Sequence, residues 1–157
     1  MTEGHLNILG IIPGDIIDDA KEIFLGLNFP GSQLVKRREH TGYETWRWIP
    51  EPDESLDEEI CSLTFSEDQV RIVSGPVLSI GIEPVLAVGD TAQAALVLAG
   101  IPEPDTRFIC FHRPNPHLAR TDVIIATSRG MVVEISIGIG IYYTQSEVEK
   151  SLKEQRQ

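Results

Sequence analysis

The chain has 157 residues, of which 41% are hydrophobic and 24% charged, and it carries a formal net charge of −11. That length supports one shared core, so a single domain over residues 1–157 is expected. The acidic excess excludes a nucleic-acid backbone or an anionic membrane as main partner, since like charges repel, and favours a basic protein.

The first residues, Met1–Asn7, lack the basic and apolar regions of a secretory signal, and no apolar run is long enough to span a bilayer. A cytoplasmic protein is expected. Cys61 and Cys110 are too few for a disulfide framework and read as reduced, half-buried thiols on strands.

A short apolar run over residues 5–13 leads into Gly14–Gly26, where Ile16, Ile17, Ala20, Ile23 and Phe24 recur at helical spacing. Asp15 reads as the N-cap of this helix and Gly26 as its left-handed C-cap. Residues 26–43 read as a loop carrying Lys36, Arg37 and Arg38. Glu44–Ile49 then alternates as a strand with Trp46 and Trp48 on one face.

Pro50–Glu59 holds two prolines and six acidic residues and reads as an exposed connection. Ile60–Phe65 and Val70–Val73 form a hairpin around a turn at Ser66–Gln69.

Gly89–Gly100 repeats the Gly-Asp-helix-Gly pattern, with Asp90 as the expected cap. A turn at Pro102–Asp105, a strand over Arg107–His112, a break at Pro114–Pro116 and a hairpin over Thr121–Ile137 follow. Two tandem α-β-β-β modules result, the first over about 8–80 and the second over about 81–142. They are expected to form one antiparallel sheet in an α+β fold, with both helices on one face. Residues 144–157 read as a short amphipathic C-terminal helix that opens on a capping box.

A shift of 63 positions lays Glu44–Ile49 on Arg107–His112 and Val70–Ile72 on Val133–Ile135. If Trp46 and Trp48 face the helices, so do Ile109 and Phe111. On this register the opposite face carries Thr45, Arg47, Ser62, Thr64 and Arg71 in the first module. In the second it carries Phe108, Cys110, His112, Val123, Ile125 and Val132. An apolar half-face of that kind marks a partner surface, so Phe108, Cys110, His112, Val123, Ile125 and Arg47 are the expected partner-binding residues.

The two units beginning at Gly14–Gly26 and Gly89–Gly100, each followed by a strand such as the aromatic Thr45–Trp48, resemble the β-lactamase-inhibitor-protein-like fold. The SmpA/OmlA-type lipoproteins contain a single such unit. The resemblance spans residues 8–142 and implies a non-enzymatic protein that binds another protein with its sheet.

Signatures of catalysis are missing from the sequence. Gly138-Ile139-Gly140 lacks the third glycine and following helix of a dinucleotide loop, and there is no Walker loop, nucleophile elbow or His-Glu-x-x-His. Asp15, Asp18 and Asp19 sit where they offset a helix dipole rather than where they would surround a cation. No cofactor is expected.

Three functions remain at this level. The leading one is a protein-binding module of inhibitor or immunity type that engages a basic partner. A homodimer joined through the apolar half-sheet is the alternative, together with a small-ligand or metal-binding protein that uses Cys110, His112 and His117, whose donor types suit a site with an open fourth position.

Overall fold

The structure, a computed structural model, describes residues 4–27, 29–38, 42–50, 60–100, 108–117 and 120–139. The chain runs β1 (Leu6–Asn7), α1 (Ile17–Leu25), β2 (Ser32–Arg38), β3 (Glu44–Pro50), β4 (Cys61–Ser66) and β5 (Gln69–Ser74). It continues with β6 (Val77–Ile80), β7 (Glu83–Ala87), α2 (Ala92–Ala99), β8 (Phe108–Arg113), β9 (Thr121–Ser128) and β10 (Met131–Gly138). The class is α+β, with antiparallel pairing in both sheets. The expected C-terminal helix over 144–157, the acidic stretch 51–59 and the turn at 102–105 lie outside the described residues.

Seven strands form one sheet in the order β2-β3-β4-β5-β10-β9-β8. Antiparallel pairing of β5 with β10 therefore sits at its centre, and the two halves run outward from it in mirrored order. The expectation of a single sheet needs correction, because β1, β6 and β7 form a second, three-stranded sheet. Its Leu6, Leu78 and Leu86 are buried in the same cluster as the large sheet's core residues. Gly75, between β5 and β6, makes this junction possible: a Cβ there would lie 2.6 Å from Ile8 Cγ2. The boundary placed at residues 80 and 81 falls in the β6–β7 turn, where the Asn7 amide donates to the Gly81 carbonyl at 2.9 Å.

The basic segment is also corrected. Ser32–Arg38 is the edge strand β2, in register with β3 from Ser32 opposite Pro50 to Arg38 opposite Glu44, so the first half of the large sheet has four strands rather than three. Lys36 stands opposite Trp46 with its ammonium 4.3 Å from the ring centroid. A lysine stem lies on apolar surface while its charge stays wet, and charged edge strands resist unwanted pairing, so a basic run is compatible with a strand here.

Trp46, Trp48, Cys61, Leu63, Phe65 and Val73 share the face toward the helices with Ile137, Ile135, Val123, Ile125, Ile109 and Phe111. This follows from the pairs Trp46–Leu63, Leu63–Val73, Val73–Ile137, Ile137–Val123 and Val123–Phe111. Both helices close the same cluster, α1 through Ile17, Ala20 and Phe24 and α2 through Ala95 and Leu96. The Trp48 indole N–H donates to the Phe24 carbonyl at 3.1 Å, which fixes the end of α1 on β3. Gly100 is a left-handed C-cap with φ 73°, whereas Gly26, at φ −75°, is not.

Val123 and Ile125 thus belong to the core face, at 1% and 0% exposure, and not to the opposite face. The cause is a one-residue slip. Trp46 and Ile109 do correspond at a shift of 63, but their partners Leu63 and Ile125 differ by 62. The hairpin turns agree, with Glu67 and Asp68 at positive φ in one and Arg129 and Gly130 in the other. A slip of one residue turns every side chain of a strand to the other face.

These faces predict opposite outcomes for neighbouring residues. Ile125→Ala should lower unfolding free energy by about 2–5 kcal/mol, because it opens a cavity in the core. Phe108→Ser, on the other face, should cost about 1 kcal/mol or less. Chemical denaturation of the two variants measures the difference, and equal losses would contradict the assigned register.

Candidate functional site

Each helix is delivered by the same turn. Residues Ile12-Pro13-Gly14-Asp15 and Ala87-Val88-Gly89-Asp90 close with Asp15 N–H to the Ile12 carbonyl at 2.9 Å and Asp90 N–H to the Ala87 carbonyl at 3.0 Å. Gly14 and Gly89 have φ of 95° and 99°, the left-handed third position of a type II turn. The Asp15 carboxylate accepts from Ile12 N–H at 2.9 Å and that of Asp90 from Ala87 N–H at 2.8 Å.

Neither Asp is therefore the helix cap that the sequence suggested. The caps are Ile16, without a side-chain bond, and Thr91, whose hydroxyl accepts from Ala94 N–H. Each Asp locks its turn instead. The turns then grip the hairpins: Gly14 N–H meets the Val70 carbonyl and Val70 N–H that of Asp15, while Gly89 N–H meets the Val132 carbonyl and Val132 N–H that of Asp90.

The loop between β8 and β9 reaches across to the first turn. His117 Nε2 lies 2.7 Å from Asp15 Oδ1, and the Asn115 amide donates to the Pro13 carbonyl and to Thr121 Oγ1, both at 2.8 Å. Asn115 Oδ1 accepts from His117 N–H at 2.7 Å. The cluster ties the second half of the chain to the start of α1. Sequence reasoning missed it, since residues 102 positions apart carry no local signal.

The sequence-predicted site residues separate into three groups. Phe108, Cys110 and His112 lie on the face away from the helices, opposite Ala126, Ile124 and Asp122 of β9. Val123 and Ile125 lie in the core. Arg47 is on the far face as expected, but in the other half of the sheet, between Val35 and Ser62.

The apolar cluster on the far face is therefore Phe108, Cys110, Ile124 and Ala126, all half-buried, with His112 exposed beside them. Ile124 and Ala126 take the places assigned to Val123 and Ile125. Aligning the two hairpin turns, rather than the outer strands, would have found them. Farther along the sheet this face carries hydroxyl pairs, Ser74 with Ser136 at 2.6 Å and Thr45 with Thr64 at 3.1 Å, together with Ile72, Ile49 and Val35. Asp122 is 2% exposed and pairs with Arg120 at 3.0 Å.

Cys110, His112 and His117 are not brought together: the first two are on the far face of β8, and His117 turns to Asp15. Among the described residues, no group of three His, Cys, Asp or Glu side chains is arranged to hold a metal ion. Among the same residues, no helix is long and apolar enough to cross a membrane.

No protein-family model, curated protein or solved structure matches the chain.

The turn locks predict a graded effect. Asp90→Ala should cost about 1 kcal/mol for its lost hydrogen bond. Asp15→Ala should cost more, because His117 loses its partner as well. In a double-mutant cycle by chemical denaturation, Asp15→Ala and His117→Ala should be non-additive by about 0.5 kcal/mol or more, and additive losses would break the link.

Proposed function

We propose that the chain is a non-enzymatic protein-binding module of the cytoplasm, whose contact surface is the far face of β8 and β9. The observation that carries this reading is the half-buried cluster of Phe108, Cys110, Ile124 and Ala126 at the outer strand of the far face. Phe108 and Ile124 supply the large apolar side chains of this surface.

The partner is basic. A net charge of −11 attracts such a protein over long range and repels nucleic acid and anionic membrane. The resemblance to inhibitor proteins that use a sheet for binding points the same way. On this reading the protein acts by occupying its partner, as an inhibitor or immunity protein does.

The test uses a partner captured from the native host and then purified. Phe108→Ser and Ile124→Ser should each weaken its binding about 10–100-fold in titration calorimetry, with melting curves close to wild type. The association rate should fall as salt rises. Unchanged affinity in both variants would remove this surface as the binding site.

A further inference from the structure

The far face of the large sheet is closed to solvent over its first half. Ile49 follows Trp46 and Trp48 in alternation, so it lies on the side away from the helices, yet it is only 1% exposed. It also stands outside the core cluster that takes in both tryptophans. Its neighbours on this face are closed as well, with Thr45 at 6%, Ser62 at 6% and Ser74 at 7% exposure. Between them, the Nη1 atom of Arg47 is shut off from solvent. On a bare sheet alternate side chains project into water, so this half of the face has a cover.

A single chain shows this burial, so the cover belongs to the chain itself and not to a partner or a second copy. The two helices and the small sheet join the core on the other side. From this we infer that residues 140–157 pack across the far face of β3, β4 and β5.

Place and length select this segment. β10 ends at Gly138 opposite Ile72, and Ile139 N–H donates to the Arg71 carbonyl at 3.0 Å, so the chain leaves the sheet at its centre. Level with Gly138 across the sheet are Ile72, Thr64 and Thr45, and Ile49 stands one helical turn's worth of residues farther along β3. The diagonal from Gly138 to Ile49 is about 20 Å, from strand spacing sideways and residue rise along the strand. A helix over 144–157, which the capping box predicts, is about 21 Å long.

Chemistry agrees with place. Ile141, Tyr142, Tyr143, Val148 and Leu152 supply apolar contact, and Val148 and Leu152 fall on one side of such a helix. Three acidic and three basic residues leave the segment neutral in a chain of −11, so it can lie beside the buried Asp122 without repulsion. The stretch 51–59 carries six acidic residues, with Pro52 and Leu56 as its apolar ones, and suits this face poorly. The stretch 101–107 joins α2 to β8 at the opposite edge of the sheet. The covered half is separate from the Phe108 and Ile124 cluster, so the inference goes beyond the binding reading and stands without it.

Methyl NMR spectroscopy on the full chain tests the inference. Nuclear Overhauser contacts are expected from the Val148 and Leu152 methyl groups to those of Ile49 and Ile72, and a mixture of labelled and unlabelled chains should place them within one chain. Leu152→Asp should shift the Ile49 methyl resonance and lower the melting temperature by about 5 °C or more. Lys150→Asp, on the outer side of the helix, should do neither. Contacts of Ile49 with Leu56 in place of Leu152, contacts that cross between two chains, or a Leu152→Asp variant that matches wild type in both readouts would each overturn the inference.

Discussion

The fold depends on the short antiparallel pairing of β5 with β10. Three register pairs, Ser74–Ser136, Val73–Ile137 and Ile72–Gly138, join two halves that otherwise have separate hairpins and helices. Gly75 N–H to the Ile135 carbonyl and Ile139 N–H to the Arg71 carbonyl extend the seam at its two ends. Through it Val73 and Ile137 connect Trp46 and Leu63 on one side with Val123 and Ile109 on the other, so a single core forms. Neither half alone has both a covered sheet and a buried edge, and an isolated small sheet of this size buries too little apolar surface to be stable.

What is legible in the chain follows from local chemistry. The spacing of Ile17, Ala20 and Phe24 and the alternation around Trp46 and Trp48 locate α1 and β3 because periodicity is set by the burial of one face. The β4–β5 and β9–β10 hairpins are legible for the same reason, through their turn residues. Two other elements were hidden. Lys36, Arg37 and Arg38 look like loop residues until Trp46 is placed under the Lys36 stem, and the β6–β7 hairpin pairs with β1 from about 70 positions earlier in the chain.

The candidate surface shows how narrow the margin is. The outer strands correspond at a shift of 63 and the hairpins at 62, because the second module's connection between these elements is one residue shorter. A repeat judged only by its strands absorbs such a step without any visible mismatch, since Val70 and Val133 are both valine. Faces then invert. The turn residues are the better anchor, because a positive φ at Asp68 and Gly130 is a property of the backbone and cannot slide.

The two outer strands of the large sheet use their cations in different ways. On β2, Lys36, Arg37 and Arg38 make the edge basic, and Lys36 is held over Trp46, whose ring also receives Lys21 at 5.3 Å. Arg38 pairs with Glu44 at 3.5 Å. On β8 the run Phe108-Ile109-Cys110-Phe111-His112 has no fixed charge before Arg113, and the Arg113 guanidinium is turned inward to the Leu98 carbonyl at 2.7 Å and over Phe111 at 4.7 Å. The cation that ends β8 therefore ties its strand to α2, whereas Lys36 of β2 lays its stem over the tryptophan of the neighbouring strand. Similar side chains thus anchor a helix on one side of the sheet and cover the core on the other.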